Sequence, residues 1–351
     1  MKKFVSVILS FALVLCLASC SGALKPKEKF KASFINLFDT ASTVIAYDNT
    51  QQEFDRKYQM LYEELKTYDQ LYDIYNEYDG VTNLCTVNKT ASKSPVKVDK
   101  KIIDMLKYGK QVYKITNGKT NICMGAVLKL WHNEREYAKD NPDDARLPDA
   151  ELLKQMSKHT DIDSLVIDEE NNTVFFTDDK LQLDVGAVAK GYAVRCITQY
   201  AKDNLWSDAA ISIGGNVSTY GYKNSDGKTK WAIGIENPDL TADDYLLMLD
   251  ITDKSIVTSG DYQRYYYVGD KKYCHIINPD TLMPSEYMAS VSVICDDSAL
   301  GDAMSTALFN MPIDEGLALV NSMDSIEAVW VDREFNKTFS NGFEQYIETE
   351  K

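Results

Sequence analysis

The hydrophobic and polar positions form their clearest pattern over residues 181–200, LQLDVGAVAKGYAVRCITQY. Leu181, Leu183 and Val185 alternate with polar residues, which predicts a half-buried β-strand. After Gly186 the apolar positions recur every three or four residues, which predicts a helix. A strand that leads into a helix through small residues leaves free backbone N–H groups where a phosphate can bind. Taken alone, the pattern is more typical of a helix N-cap beside a solvated lysine.

The same two periodicities predict a mixture of helices and strands along the rest of the chain. Strands and helices interleave without a regular βαβ order, so we expect an α+β fold with two closely packed subdomains. The charged residues 132–146 predict an exposed loop at the boundary between the halves, and residues 76–97 predict another loop. Helices are predicted over 53–75, 100–116, 148–159, 299–311 and 313–321, and strands within 34–47, 165–167, 173–177, 209–222, 231–236, 245–251, 255–259, 264–268, 288–295 and 326–331.

The N-terminus carries an export signal. Lys2 and Lys3 precede an apolar run over residues 4–17, which is too short for a transmembrane helix. The Leu-Ala-Ser-Cys sequence that ends at Cys20 resembles the bacterial lipobox, although an ordinary signal peptide with an incidental cysteine is the alternative. We therefore expect a signal peptide over 1–19, lipidation of Cys20, a tether over 20–33 and one domain over 34–345. The protein would be anchored to the cell membrane by lipid and face the extracytoplasmic side.

Composition narrows the possible partners. The chain has 53 acidic and 38 basic residues and a formal net charge of −15, so it is a poor candidate for binding nucleic acid or an anionic membrane surface. The five cysteines after Cys20 are widely spaced and lack a C-x-x-C pair, which favours buried free thiols over disulfides or a zinc site. They are Cys85, Cys123, Cys196, Cys274 and Cys295.

Two other stretches carry candidate chemistry. Asp302 and Thr306 share one face of a predicted helix, with Ser305 beside them. A carboxylate and a hydroxyl offer the hard oxygen ligands that magnesium prefers when water and phosphate complete its shell, although such a helix face is commonplace. His275 lies between strand-forming residues and a turn, where a structural role is somewhat more common than a catalytic one.

Taken together, these stretches resemble the ApbE family, the FAD:protein FMN transferases. The resemblance spans residues 34–331, with a looser match at 38–40, where Phe38-Asp39 stands in place of the usual Met-Gly. In the other departures, residues 121–125 read Asn-Ile-Cys-Met-Gly in place of the usual Asp-Pro-Thr-Val-Gly, and Asn278 and Leu282 replace the usual Asp and Gly. The matching blocks, all in the order of the family, are 121–131, 184–193, 213–216, 258–262, 275–279 and 301–306.

The resemblance implies that FMN is transferred from FAD to a threonine hydroxyl of a partner protein, with release of AMP. Magnesium would neutralise the diphosphate. By motif position, the metal ligands would be the Ala187 carbonyl, Asp302 and Thr306, with Ser305 as a further candidate. His275 would be the base that takes the threonine proton. The residues implied to bind FAD are Phe38, Tyr75, Trp131, Asp184 and Lys190, with Tyr75 and Trp131 lying against the flavin or adenine rings.

The implied partners are FAD, membrane lipid and an exported or membrane flavoprotein that carries the acceptor threonine. No acceptor-type stretch occurs in this chain, so we expect that it is not itself flavinylated. Two alternatives remain open. One is an FAD pyrophosphatase that gives FMN and AMP, and the other is a non-catalytic FAD-binding lipoprotein. The Asp302 and Thr306 pair favours chemistry over storage, because a storage site needs no metal at the diphosphate.

Overall fold

The computed structural model describes residues 27–348. The signal peptide, Cys20 and the first part of the expected tether lie outside this range. The helices are α1 (Gln51–Tyr72), α2 (Leu84–Thr90), α3 (Lys100–Ile115), α4 (Gly125–Asp140), α5 (Ala150–Met156), α6 (Ala189–Asn204), α7 (Ser298–Phe309) and α8 (Ile313–Asn321). The strands are β1 (Glu28–Leu37), β2 (Thr40–Asp48), β3 (Val96–Lys97), β4 (Leu165–Asp168), β5 (Thr173–Phe176), β6 (Ala209–Ile213), β7 (Asn216–Tyr220), β8 (Trp231–Glu236), β9 (Tyr245–Ile251), β10 (Ser255–Gly260), β11 (Tyr265–Val268), β12 (Lys271–Cys274), β13 (Ser290–Cys295), β14 (Ile326–Val331) and β15 (Lys337–Phe339).

An antiparallel sheet of eight strands organises the molecule, in the order β1-β2-β6-β7-β10-β13-β14-β15. Helix α1 packs on β1 and β2, α6 packs on β6 and β7, and α7 packs on β10 and β13. Helices α6 and α7 also pack against each other. Three smaller sheets, β3-β5-β4, β8-β9 and β11-β12, complete the fold. The predicted α+β class is therefore confirmed.

The first strand begins earlier than expected. Residues 28–33, which we assigned to the tether, belong to β1. Phe30 and Ala32 alternate with exposed lysines and pack against the main core, and the Phe30 ring lies 5.5 Å from that of Phe54 in α1. Burial of this alternating face explains why the sheet extends to Glu28.

The charged stretch over 132–146 is not a loop along most of its length, because α4 continues through it to Asp140. Val127, Trp131 and Ala138 are buried at helical spacing, and the charged residues form the solvent-facing side of the same helix. The helix ends at Asn141, before Pro142, which cannot continue it. The prediction was wrong because charge was taken as a sign of irregular structure.

The segment over 181–185 keeps its predicted alternation but is not a strand. Leu181, Leu183 and Val185 are buried, and the residues between them are partly exposed. The segment makes only an isolated parallel bridge from Gln182 to Met124, so it lacks the ladder that defines a strand. The predicted loop over 76–97 contains α2 and β3, and the sequence analysis missed these two elements together with β12 and β15, all of which are short.

The cysteines are in the state that the sequence predicts. Within residues 27–348 the five cysteines are free, and four of them are buried. No helix in the same range is long and apolar enough to cross a membrane.

Candidate active site

The site is built where the first turn of α6 meets α7. The Gly191 N–H donates to Asp302 Oδ2 at 2.7 Å. A Cβ on Gly191 would overlap the Asp302 side chain and come within 2.5 Å of the Ser298 carbonyl oxygen, so this approach requires glycine. Asp302 is only 5% exposed. The contact therefore holds a buried carboxylate at the positive end of a helix, which stabilises its charge.

Lys190 supplies the cation beside this carboxylate. Its Nζ lies 3.8 Å from Asp302 Oδ1 and donates to Asn216 Oδ1 at 2.6 Å and to the Gly214 carbonyl at 3.4 Å. Burial lowers the pKa of Lys190, and Asp302 opposes that change. Gly214 and Gly215 form the β6–β7 turn with φ of +54° and +85°, which explains the two glycines. The turn thus fixes the ammonium group next to Asp302.

The predicted metal ligands differ in whether their oxygen atoms already make hydrogen bonds within the protein. Thr306 is half-buried one helical turn after Asp302, and the Ala187 carbonyl has no backbone partner, because the Gly191 N–H donates to Asp302 instead. Ser305 is fully buried, and its hydroxyl bonds Ser259 Oγ at 2.9 Å and the Asp302 carbonyl at 3.0 Å. Ser305 thus fastens α7 to β10 and gives its proton to the Asp302 carbonyl, and its assignment as a metal ligand stays a prediction.

The oxygen atoms of Ala187, Asp302 and Thr306 suit a hard cation that is also bound by a phosphate. In the described part of the chain, no group of three or more His, Cys, Asp or Glu side chains could hold a metal ion. A metal here would have one carboxylate, one carbonyl and one hydroxyl, all oxygen. Such a set fits magnesium, which usually takes one or two carboxylates and completes its shell with water and substrate phosphate.

His275, directly after β12, is held in one orientation. Its backbone N–H donates to the Arg264 carbonyl at 3.0 Å, and its Nδ1 lies 3.2 Å from the same oxygen. That oxygen can only accept, so we assign the ring proton to Nδ1 and the lone pair to Nε2. Burial lowers the pKa of His275 to about 3, and the charges of Arg264, Arg135 and Lys190 add to the effect. The imidazole is therefore neutral near pH 7.

Asp184 lies within the same electrostatic environment. Its Oδ1 accepts the Gly186 N–H at 2.9 Å. Burial raises the pKa of Asp184, while His132, Arg135 and Arg264 oppose that rise. The site therefore contains the acidic residues Asp184 and Asp302. Its cations, Lys190, Arg135 and Arg264, suit an anionic ligand.

Tyr75 follows the end of α1 and is 56% exposed. Its ring stacks on His132 of α4, with a centroid separation of 4.9 Å and an angle of 27°. Arg135, one turn further along α4, lies with its Nη2 at 3.1 Å from His132 Nδ1. The predicted position of Tyr75 beside a ligand ring is compatible with this exposure.

Phe38 lies at the rim, in the turn between β1 and β2. Phe38 and Asp39 have φ of +54° and +50°, and the Phe38 N–H donates to Asp69 Oδ1 at 2.7 Å. A Cβ on Gly214 would collide with Thr40, so this turn touches the β6–β7 turn that holds Lys190. Phe38 thus lies in a turn that contacts the turn holding Lys190, and its side chain is half-buried against the main core.

Trp131 does not line the site. It is 3% exposed, and its Nε1 donates to the Leu282 carbonyl at 3.0 Å. Its ring packs against Tyr273 and Tyr266, with the Tyr273 ring stacked at 6.3 Å. We therefore correct its assignment from a ligand-stacking residue to a core residue that anchors α4.

The sequence analysis assigned no role to four residues of the site. Arg264 and Asn216 lie within or just after matched blocks, so their position was the available signal. Arg135 and His132 lie in the charged stretch that was predicted as a loop, and no local pattern marked them.

Comparison with known proteins identifies a family and several relatives that this chain resembles. The model of the ApbE family matches residues 38–330. The chain is 28% identical to the FAD:protein FMN transferase of Klebsiella pneumoniae over 274 residues, covering 77% of this chain and 80% of the relative. It is 29% identical to the protein of the same name from Treponema pallidum over 260 residues, covering 71% and 70%.

Solved structures show the same fold. The ApbE protein of Thermotoga maritima superposes with a TM-score of 0.80 at 23% identity, covering 92% of this chain and all of that one. The flavin transferase ApbE of Vibrio cholerae gives a TM-score of 0.73 at 22% identity, covering 92% of this chain and all of that one.

Proposed function

This chain belongs to the ApbE family, and from that premise we propose that it transfers FMN from FAD to a threonine hydroxyl of a partner protein, with release of AMP. The observation that carries the proposal is the pairing of a buried Asp302 with Lys190, together with a neutral, oriented His275 whose pKa Lys190 helps to lower. In this arrangement Lys190 can bind a phosphate, and His275 can accept a proton.

FAD would enter as the substrate, with its diphosphate facing the cations of the site. Arg264, Arg135 and Lys190 all lower the pKa of His275, so three cations act on this region, and we place the diphosphate among them. Magnesium, held by the Ala187 carbonyl, Asp302 and Thr306, would neutralise the diphosphate and stabilise the charge that develops on the leaving AMP.

His275 would act as the general base. The threonine Oγ attacks the phosphorus on the FMN side of the anhydride, and its proton passes to Nε2 of His275. A phosphoester forms, the bond from that phosphorus to the AMP oxygen breaks, and AMP leaves. The bound diphosphate supplies negative charge beside the imidazole, which raises the pKa of His275 from about 3 and makes it a stronger base.

We also propose that the protein is held on the extracytoplasmic side of the cell membrane by a lipid on Cys20. The proposal rests on the apolar run over 4–17 and the Leu-Ala-Ser-Cys sequence. Labelling cells with a radioactive fatty acid tests it: the wild-type chain should carry label, and Cys20→Ser should not. Equal labelling of both chains would rule out Cys20 as the site.

The activity itself is tested by incubating the full chain with FAD, magnesium and a flavoprotein domain that bears an acceptor threonine. We expect AMP release to depend on the acceptor and to match the amount of covalent flavin. AMP release at the same rate without any acceptor would favour the pyrophosphatase. Bound FAD that stays intact in both reactions would favour the non-catalytic binding protein.

A further inference from the structure

Tyr75 is an exposed aromatic residue on a loop that is held by hydrogen bonds. The Asp73 carboxylate accepts the backbone N–H groups of Tyr75 at 2.6 Å and Asn76 at 3.0 Å, and the hydroxyl of Tyr78 at 2.8 Å. The Cys85 thiol donates to the Tyr75 carbonyl at 3.4 Å. The backbone that presents this ring is therefore already fixed, so a ligand need not order it on binding.

His132 covers one side of the Tyr75 ring, at 4.9 Å and 27°. Arg135 donates to His132 Nδ1 at 3.1 Å, which fixes the imidazole from its own helix. The start of α4 is fixed in turn, because the Gly125 N–H donates to the Gln182 carbonyl at 3.0 Å. Tyr75 nevertheless stays 56% exposed, so His132 leaves part of the phenol ring open.

The stack lies beside the charged part of the site. Burial and Arg135 lower the pKa of His132, while Glu136 and Asp184 oppose that change. Since Nδ1 accepts from Arg135, it carries no proton, and the imidazole is neutral. A neutral pair of rings next to the cations that face a diphosphate is suited to a planar ring joined to that diphosphate.

The family resemblance already implies that a planar ring of FAD, isoalloxazine or adenine, lies against Tyr75. We infer that His132 and Tyr75 form one stacked platform for that ring. His132 is a positioning residue: it does not touch the substrate but holds the phenol ring at the angle that the substrate ring needs. The inference rests on the proposed function, because FAD is its ligand. The competing arrangement has His132 in the place of the substrate ring, so that it must move away before FAD can bind.

Binding of FAD to the full chain, followed by flavin fluorescence, separates the two arrangements. We expect His132→Ala to raise Kd and KM for FAD by about 2- to 10-fold, the range of one aromatic stacking contact, and to leave kcat at saturating FAD unchanged. His132→Phe should restore the wild-type Kd, because a phenyl ring can stack in the same place. Calorimetric titrations with FMN and with ADP identify the ring, since only the ligand whose ring stacks should lose affinity.

Asn133→Ala is the matched control, because Asn133 is the next residue of α4 and is exposed. It should bind FAD as the wild type does. His132→Leu repeats the test at similar volume in case His132→Ala lowers the unfolding midpoint. Tighter FAD binding by the non-aromatic variants, an unchanged Kd in both, or a failure of His132→Phe to restore Kd would overturn the inference. A wild-type chain that binds FAD but releases no AMP when magnesium and the acceptor domain are also present would refute the proposed function and leave the platform intact.

Discussion

Asp302 is the residue on which most of the site depends. Its carboxylate accepts the Gly191 N–H, lies beside the Lys190 ammonium and is almost fully buried. A buried charge is tolerated only when it is paired and hydrogen-bonded, so removal of one partner leaves the other unsatisfied. The same carboxylate is the single anionic ligand in the proposed metal site. Its structural and chemical roles can therefore be separated by the choice of substitution.

We predict that Asp302→Ala abolishes magnesium-dependent AMP release and lowers the free energy of unfolding by about 3 kcal/mol, because it leaves Lys190 without its anionic partner and the Gly191 N–H without an acceptor. Asp302→Asn should be equally inactive but closer to wild-type stability, since its amide oxygen can still accept from Gly191. AMP release over a magnesium titration, together with urea unfolding, measures both effects. Asp314→Asn, an exposed change at the start of α8, is the control. Full magnesium-dependent activity in Asp302→Asn would contradict the assignment.

His275 should matter for the rate and not for binding. Its Nε2 is the proposed proton acceptor, whereas its Nδ1 and backbone N–H bond only the Arg264 carbonyl. We predict that His275→Ala slows transfer by about 10²- to 10⁴-fold, the usual contribution of a general base, and leaves Kd for FAD within about twofold of the wild type. Single-turnover rates and fluorescence titration give the two quantities. A large loss of FAD affinity with little further loss of rate would assign His275 a structural role.

His275 also makes stability depend on pH. Its pKa is about 3 in the folded chain, against about 6.5 in an unfolded chain. Below pH 6.5 the unfolded chain therefore binds a proton that the folded chain does not bind, so this group destabilises the fold as pH falls from 6.5 towards 3. Between pH 7.5 and pH 5, in the absence of FAD, wild type should lose up to about 2 kcal/mol more of its unfolding free energy than His275→Gln. Urea unfolding at the two pH values measures this difference, and equal losses would show that the imidazole is not held neutral.

At the scale of the element, the contact between α6 and α7 brings the two halves of the site together. Lys190 and Gly191 lie on α6, and Asp302 and Thr306 lie on α7. The helices approach closely because Gly191 has no side chain. The distance between the cation and the carboxylate is thus a property of helix packing.

Gly191→Ala should force the two helices apart. Its Cβ would meet backbone and the base of the Asp302 side chain, neither of which can move freely, so we predict a loss of about 2–3 kcal/mol in unfolding free energy and weaker activation by magnesium. Gly316→Ala in α8 is the control, because Leu308 Cδ2 at 3.2 Å and the Trp330 ring at 3.3 Å would need to move by only a few tenths of an ångström and alanine favours a helix. Urea unfolding of both variants tests the prediction. A Gly191→Ala chain as stable as wild type would show that the helix contact is not fixed by this glycine.

The elements also show what the sequence could and could not predict. Alternation correctly predicted the burial of Leu181, Leu183 and Val185, but not whether a neighbouring strand would pair with them. Helix α4 was missed because its charged face outweighed three buried positions. Arg264 and Arg135 reach the site from different elements, and only tertiary structure brings isolated arginines together. Lys190 and Asp302 were named as site residues because the resemblance to a family covers both motifs, but their ion pair was not predicted.

At the scale of the whole molecule, the site lies where segments distant in sequence meet. The turn of β1 and β2, the start of α6, the turn of β6 and β7, and α7 are joined by direct contacts. His275 follows β12 and is fixed by Arg264, which precedes β11. Since no single segment carries the site, the proposed reaction requires the folded domain as a whole.

The most direct test of the proposed function is whether this chain attaches flavin covalently to a threonine of another protein. The full chain is incubated with FAD, magnesium and an acceptor domain, and the denatured acceptor is examined for flavin fluorescence in a gel and for attached FMN by peptide mass spectrometry. We predict label on one threonine, lost when that threonine is changed to alanine and lost with Asp302→Asn. FAD that is consumed to FMN and AMP while the acceptor remains unlabelled would contradict the account.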